Sequence, residues 1–585
     1  MVYLYRGMRE EKQNNIITIL TGGAAGDGAR SVGGNLARFF VENGFEIFES
    51  VDYPSLIRGG HNFSRLSFSD QQVYNDHSLI DILIAFNQET KQLHRDKFTS
   101  ETIILANDFI EEEILEFGDR AIKLPMEIYA NEEDAPMIAS GSVALGAVCF
   151  LLALPFEKLE EVLNNVFQEK HLAVNVALAR RGYQYLEKAQ IIYPRNFKPA
   201  QQNKEVLNAS ETFGQGMVQA GLDYYVAYPM TPASPILHFL AKQSIPLGIK
   251  IVQPESELSV INMALGIAYT GKRVAIGTSG GGFALMQESF SLAGMGEIPL
   301  LIAMVQRPAP ASGVPTYTSQ ADLLFILNSG HGEFPRIVIA PGDAEEAFQA
   351  GVDGLNLAWK YQLPVIVLTD KHIGESAQSG QIDKTNINIE KGKIVSEANA
   401  DYKRYEITDD GISPMAFPGA SDAIVKVNSY EHNEKGITTE NAKDIVTMQD
   451  KRFTKLAEIK KEFEIRDTIK VYGDTTSKIV VVFWGSTKGA VLEAAKYLEQ
   501  SVKFLQIVWL EPFDTEAVLS HLQDADIVID IEGNHDGQLA KLIRQKTGID
   551  IKQKILKYDT RPFDSFELAK EITLLLENDQ RTSLV

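Results

Sequence analysis

Three side chains near the middle of the chain have the types and settings to do chemistry. Glu257 stands three positions after a proline and ahead of an apolar, small-residue pattern (Leu258, Ile261, Leu265, Ala268) that predicts a helix opening on a carboxylate. A strand predicted over 273–277 then runs into the loop Thr278-Ser279-Gly280-Gly281-Gly282, and strand ends of this kind in α/β sheets receive phosphates and cofactors. Gly266 and Gly271, nine and fourteen positions after Glu257, would let the helix pack closely and then stop. Thr231 lies in Tyr228-Pro229-Met230-Thr231-Pro232, where two prolines fix φ and end the preceding strand. Its hydroxyl, held in a rigid turn, suits an oxo or carboxylate oxygen. Arg307 stands two residues past a strand predicted over 299–305, and its planar fork can hold a carboxylate in a bidentate pair.

Those residues need a parallel sheet behind them. The runs 224–227, 299–305, 336–340 and 364–368 are continuously apolar, which belongs to strands covered on both faces. Upstream, 16–20 reads as a strand followed by a Gly-rich turn and a helix, and 143–154 as a buried helix too short for a bilayer of about 30 Å. A polar, proline-containing stretch over 194–204 reads as a linker. The pattern loosens over 376–469, an extended inter-domain arm, and strands at 479–484, 503–509 and 527–531 alternating with helices form a last α/β unit. The expected fold is therefore multidomain α/β, divided at 14–193, 205–375, 376–469 and 470–585.

Composition removes several classes of function. A formal net charge of -22 gives a nucleic-acid or anionic-membrane partner no electrostatic footing. The one cysteine, Cys149, excludes disulfides, zinc fingers and iron–sulfur clusters within this chain, and no metal set is expected. The amino terminus is polar, mixed in charge and without a secretory apolar core, so a cytoplasmic location is expected.

Several motifs then fall into one order: YPMTPASP at 228–235, Glu255-Ser256-Glu257, TSGGGFALMQE at 278–288 and QRPAPASGVPTYTSQADL at 306–323. Together they resemble the α subunit of the 2-oxoacid:ferredoxin oxidoreductases. YPSLIRGGHN at 53–62 resembles that family's γ region, which implies a fused γ–α chain, and EGN…GQL at 532–539 resembles its carboxyl-terminal region. The resemblance implies an N-terminal γ domain, a thiamine-enzyme pyrimidine-binding domain and a C-terminal domain like that of transketolase. Two departures stand out, R-P-A-P-A-S-G at 307–313 in place of R-G-G-P-S-T-G, and Met415 where an arginine is frequent. The first puts the size of the substrate pocket in doubt.

The family's reaction is the coenzyme A-dependent oxidative decarboxylation of a 2-oxoacid, 2-oxoglutarate favoured, with electrons passed to ferredoxin. Thiamine diphosphate is then shared with a β subunit, which is expected to carry Mg²⁺ and a 4Fe–4S cluster; Gly26-Asp27-Gly28 lacks the Asn-Asn pair that would make it a Mg²⁺ motif. Glu257 is expected to hold the aminopyrimidine ring, preferred over Glu255 because of its nine-residue spacing to the helix glycine. Tyr228, Pro229, Thr278, Ser279 and Gly280 are expected around the cofactor. Arg58 and Gly59 are placed with the cofactor-binding residues, against a coenzyme A phosphate or the neighbouring α domain, but the structural reading, Arg58 paired with a carboxylate and His61 a satisfied turn residue, is the favoured one. Two other readings stand beside this one: a catalytically reduced scaffold subunit, and a transketolase- or carboligase-like thiamine enzyme.

Overall fold

Residues 16–54, 60–193, 203–385, 387–420 and 422–582 are described by a computed structural model. The apolar runs form the inner strands of a seven-stranded sheet, ordered Trp509–Glu511, Ile337–Ile339, Pro364–Asp370, Leu300–Gln306, Val274–Thr278, Tyr224–Val226 and Lys250–Val252. All neighbours run parallel except the Trp509–Glu511 edge. Every residue of Leu300–Gln306 and of Val274–Thr278 is buried, as strands covered on both faces must be. Helix Ala209–Gln219 crosses helix Ala344–Tyr361 at Gly216, where a Cβ would lie 2.1 Å from the Phe348 carbonyl oxygen.

The N-terminal sheet has eight strands, and two of them come from elsewhere in the chain. Its order is Ala121–Lys123, Phe98–Ala106, Ile80–Ala85, Ile17–Ala24, His61–Ser69, Glu46–Asp52, Ala377–Gly380 and Glu205–Asn208. The segments that enter and leave the middle α/β unit thus extend the sheet before it. The apolar run at 143–154 is the helix Gly141–Leu151, buried along nearly its whole length.

The third sheet has five strands, Ile469–Gly473, Lys503–Ile507, Ile479–Trp484, Ile527–Glu532 and Gln553–Leu556. Here the expected strand over 503–509 proves to be two. Lys503–Ile507 stays in the C-terminal sheet, whereas Trp509–Glu511 pairs antiparallel with Ile337–Ile339 in the middle one. The peptide at Val508 makes the change, its N–H donating to Thr468 and its carbonyl accepting from Ala340. An unbroken apolar run reports burial and says nothing of which sheet buries it.

The region 376–469 is fastened to the middle domain by buried charge. Glu297, 1% exposed, accepts from Lys451 at 2.8 and 2.9 Å and pairs with Lys455 at 2.6 Å; both lysines lie on helix Ala442–Lys460. Arg404 donates to the Glu297 carbonyl oxygen and to Gln362 Oε1. Burial opposes ionisation of Glu297, but Lys451, Lys455 and Arg404 outweigh it and hold the carboxyl well below its ordinary value of 4.5. Met415 lies in this region too, 2% exposed in the apolar core of the middle domain.

Breaking a buried pair leaves an uncompensated charge, so Glu297→Gln is expected to lose about 3–5 kcal/mol of unfolding free energy at neutral pH in urea titrations. A carboxyl lowered in the folded state contributes stability above its unfolded value and loses it as pH falls. The gap between parent and variant should therefore narrow below about pH 4.5.

Candidate active site

Tyr224–Val226, Val274–Thr278 and Leu300–Gln306 are hydrogen-bonded neighbours running the same way. Their carboxyl ends therefore deliver residues 228–231, 279–282 and 307 to one edge of the sheet, where α/β enzymes bind ligands. Helix Glu257–Tyr269 starts beside that edge, capped by Ser256, whose hydroxyl accepts from the Ser259 N–H.

The two candidate carboxylates separate cleanly. Glu255 lies at the surface, accepts the Ser259 hydroxyl and is held below the ordinary carboxylate range by it. Glu257 is 5% exposed, and its Oε1 has no hydrogen-bond partner among the described residues.

The glycines of the loop make room for what surrounds it. A Cβ on Gly282 would stand 2.8 Å from Glu257 Oε1 and 2.2 Å from Thr278 Oγ1, and one on Gly277 would stand 1.9 Å from the Tyr225 hydroxyl. A Cβ on Gly280 would stand 2.7 Å from Asp322 Oδ2. Tyr225 Oη, Glu257 Oε1, Ser279 Oγ and Asp322 Oδ2 are all buried and unpartnered among the described residues. Each such atom costs about 1–3 kcal/mol if left unsatisfied, and proteins seldom tolerate one. Glu257 Oε1, Ser279 Oγ and Asp322 Oδ2 lie at the glycine turn and fit a polar ligand with several hydrogen-bonding edges, as an aminopyrimidine has, whereas the Tyr225 hydroxyl lies behind Gly277 on the other face of the sheet.

Arg307 and Thr231 do come together. Arg307 Nη1 donates to the Thr231 carbonyl oxygen at 2.7 Å, which fixes the guanidinium against the turn that carries the hydroxyl. One nitrogen is thereby engaged, and no carboxylate lies within ion-pair distance of Arg307 among the described residues. Burial alone pulls its pKa down. The altered loop after it is exposed from 309 to 315 and folds back on itself, the Val314 N–H donating to the Pro308 carbonyl.

Tyr228 and Pro229 sit exposed at the rim. Arg58 and Gly59 lie outside the described residues. His61, just beyond them, opens the strand His61–Ser69 and lies with its Nε2 2.8 Å from that of His94, and burial lowers both imidazoles. Next to that pair is a cavity of about 480 Å³ whose lining includes Arg65, Lys97, Lys371 and Arg561, contributed by three regions of the chain.

Gly266 departs from expectation. A Cβ there would meet nothing within 4 Å, so it serves no close packing inside this chain. It shares an open face with Leu258 (53% exposed) and Met263 (46%), near Gly281 and Leu285 on the neighbouring turn. Leu258 thus points outward although Ile261, Leu265 and Ala268 are buried as the helix pattern requires.

Reading residues in sequence missed Tyr225, Asp322 and the contact that places the latter. Gln320 exchanges two hydrogen bonds with the Gly533 peptide, through its own N–H at 2.8 Å and its side-chain oxygen at 2.7 Å, and its amide donates to the Trp484 carbonyl. Asn534 donates to the Gln320 carbonyl, and Gln538 bridges the Ala321 carbonyl and the Leu324 N–H. The two motifs were visible separately; that they grip each other was not. Among the described residues no group of three or more His, Cys, Asp or Glu is placed to hold a metal ion, and no helix is long and apolar enough to cross a membrane.

Comparison with known proteins accords with this geometry. Residues 215–451 match the family "Pyruvate flavodoxin/ferredoxin oxidoreductase, thiamine diP-bdg", and residues 18–185 match "Pyruvate ferredoxin/flavodoxin oxidoreductase". The chain is 34% identical to the 2-oxoacid:ferredoxin oxidoreductase subunit alpha of Saccharolobus solfataricus, over 97% of this chain and 98% of that one. With the 2-oxoglutarate oxidoreductase subunit KorA of Mycobacterium tuberculosis it shares 24% identity over 97% and 92% of the two chains. A solved 2-oxoglutarate:ferredoxin oxidoreductase from Magnetococcus marinus, with 2-oxoglutarate, coenzyme A and succinyl-CoA bound, superposes with a TM-score of 0.87 at 31% identity, covering 96% of this chain and 99% of that one. The chain belongs to the family of 2-oxoacid:ferredoxin oxidoreductase α subunits.

Proposed function

We propose that this chain works as the pyrimidine-binding and substrate-recognising half of a 2-oxoglutarate:ferredoxin oxidoreductase, which forms succinyl-CoA and CO₂ from 2-oxoglutarate and coenzyme A and passes electrons to ferredoxin. The observation that carries this reading is the buried, unpartnered Glu257 at a turn stripped of side chains. When bound, thiamine diphosphate supplies the electron sink for the carbanion that loss of CO₂ leaves. Glu257, Thr278, Ser279 and Gly280 would hold its pyrimidine end, with Tyr228 and Pro229 at the rim. A carboxylate at Glu257 would carry and return a proton at the ring edge it meets, and the dry surroundings strengthen that hydrogen bond.

Arg307 holds the substrate. A half-buried guanidinium with no carboxylate of its own is matched by an anionic ligand, and the Thr231 carbonyl already fixes one nitrogen in place. Thr231 offers its hydroxyl at the same turn.

The rest of the machinery belongs to a partner. A 4Fe–4S cluster needs more sulfurs than one buried cysteine provides, so the cluster, Mg²⁺ and diphosphate-binding half are assigned to a β subunit. Its seat is the open apolar face of Leu258, Met263 and Leu285 beside the glycine turn. The phosphates of coenzyme A are assigned to the cavity beside His61 and His94, where Arg65, Lys97, Lys371 and Arg561 are the lining cations. The compartment proposed is the cytoplasm.

In the reconstituted complex, Glu257→Gln is expected to lower turnover about 10²-fold or more, and Glu255→Gln to do little. The reverse order would move the proton-carrying role to the surface carboxylate. Arg307→Ala should cost about 1.5–3 kcal/mol in kcat/KM. Equal losses with pyruvate and 2-oxoglutarate assign it to the shared C1 carboxylate, and a loss with 2-oxoglutarate alone assigns it to the distal one. Replacing Lys97 and Arg561 by alanine should raise the KM for coenzyme A severalfold and leave that for the 2-oxoacid unchanged; unchanged coenzyme A kinetics would place the coenzyme elsewhere.

A further inference from the structure

Asp322 does not behave as a helix cap, although it stands where one is expected. It immediately precedes helix Leu323–Leu327, and an aspartate in that place normally spends its carboxylate on a backbone N–H of the first turn. Here the side chain makes no such bond. It turns instead onto the glycine turn, with Oδ2, Cγ and Oδ1 at 2.7, 3.3 and 3.4 Å from the point a Gly280 Cβ would occupy. The residue is 9% exposed and Oδ2 is unpartnered among the described residues.

This placement is enforced from both sides. The Asp322 N–H donates to Gln306 Oε1 at 3.0 Å, tying it to the residue before Arg307. On the other flank Gln320, Ala321 and Leu324 are held by Gly533, Asn534 and Gln538 of the C-terminal domain. A carboxyl carried on a loop fixed at so many points is not free to swing out to water.

The groups packed around it are neutral: Gly280 and Ser279 of the turn, Gln306 from the strand end, Gln320 and Gln538 from the clasp. The titratable side chain that shares the turn is Glu257, which touches Gly282. Burial is accordingly the sole cause that shifts Asp322, pushing its carboxyl up from 3.8 to about 6. Seating a ligand and a partner over the turn would remove more water and push it further.

We propose that Asp322 is a second protonic residue of this site, acting as a carboxylic acid that donates a hydrogen bond to an acceptor atom of the group bound at the Gly280–Gly282 turn. It complements Glu257, one carboxyl on each side of the turn. The proton stays on Asp322 throughout. This rests on the thiamine-site reading given above and adds to it a residue with an opposite charge requirement.

The test uses the full chain with its β subunit, and the free chain for stability. Asp322→Asn keeps a donor and cannot ionise, and Asp322→Ala removes the donor. In the complex, the parent's kcat/KM should fall on the alkaline side of an apparent pKa at or above about 6. Asp322→Asn should abolish that fall and retain activity within severalfold, while Asp322→Ala loses about three- to tenfold relative to the parent below that pKa and shows no alkaline fall of its own. In the free chain the sign runs through burial. A carboxyl raised in the folded state contributes stability below its unfolded value, and that contribution is lost as pH rises through about 6. Asp322→Asn should therefore raise Tm at pH 8 and match the parent near pH 4, a pattern that a merely structural carboxylate reverses. Retention of the alkaline fall in Asp322→Asn, or a Tm lowered at pH 8, overturns the proposal. Glu257→Gln, measured alongside, separates the two readings: if it is inert while Asp322→Asn is not, the glutamate's role fails first, and if it abolishes turnover while both Asp322 variants behave as the parent, Asp322 alone is excluded.

Discussion

The backbone of one residue, Gly533, is held through both its N–H and its carbonyl by a single glutamine, and the loop at the candidate site depends on it. Gln320 fixes the loop Thr316–Leu324 to the C-terminal domain, and the same loop touches the other two. Thr316 donates to the Pro54 carbonyl in the N-terminal domain, and Thr318 donates to Asp370 at the end of a central strand. Its far end carries Asp322 to the glycine turn. Leu323 anchors the far end of the loop in the apolar core, and polar contacts from three directions order the rest. The EGN…GQ motif of the C-terminal domain is the other half of this clasp.

Much of this was legible in the chain, for identifiable reasons. Continuous apolar runs announced strands buried on both faces, and Glu257 was preferred to Glu255 for its nine-residue spacing to Gly266, although that glycine makes no close contact inside this chain. Prolines at 229 and 232 marked where the first strand had to stop. What could not be read is what depends on contacts between distant segments. Asp322 looked like part of a loop motif because nothing local shows that its cap position is abandoned. Gly266 looked like an internal contact, whereas its small size matters on a face left open. The run over 503–509 looked like one strand because hydrophobicity is blind to the choice of sheet.

Charge is buried in this molecule in two different ways. At Glu297 two lysines bond one carboxylate while Arg404 donates to the same residue's backbone carbonyl, and removing one partner would leave an uncompensated buried charge. Asp530 and Glu532 form no ion pair among the described residues, and Lys554 near Asp530 only partly offsets their burial. Burial raises both, Asp530 well above its ordinary value with the Glu532 charge adding to it, while Trp484, Asn534 and the Leu539 N–H satisfy Glu532.

The strand Trp509–Glu511 has a consequence for how the chain comes off the ribosome. The outer edge of the central sheet, Ile337–Ile339, is formed by residues made well before those that will cover it. Until synthesis reaches the C-terminal domain, that edge presents unpaired backbone groups beside an apolar strand, the feature that drives edge-to-edge association. The middle domain is thus incomplete as a nascent unit, and its last hydrogen-bonding partner arrives only with the domain that also clamps its active-site loop. Order of synthesis and order of assembly converge on one event, so a truncated product would be left both sticky and without a fixed site.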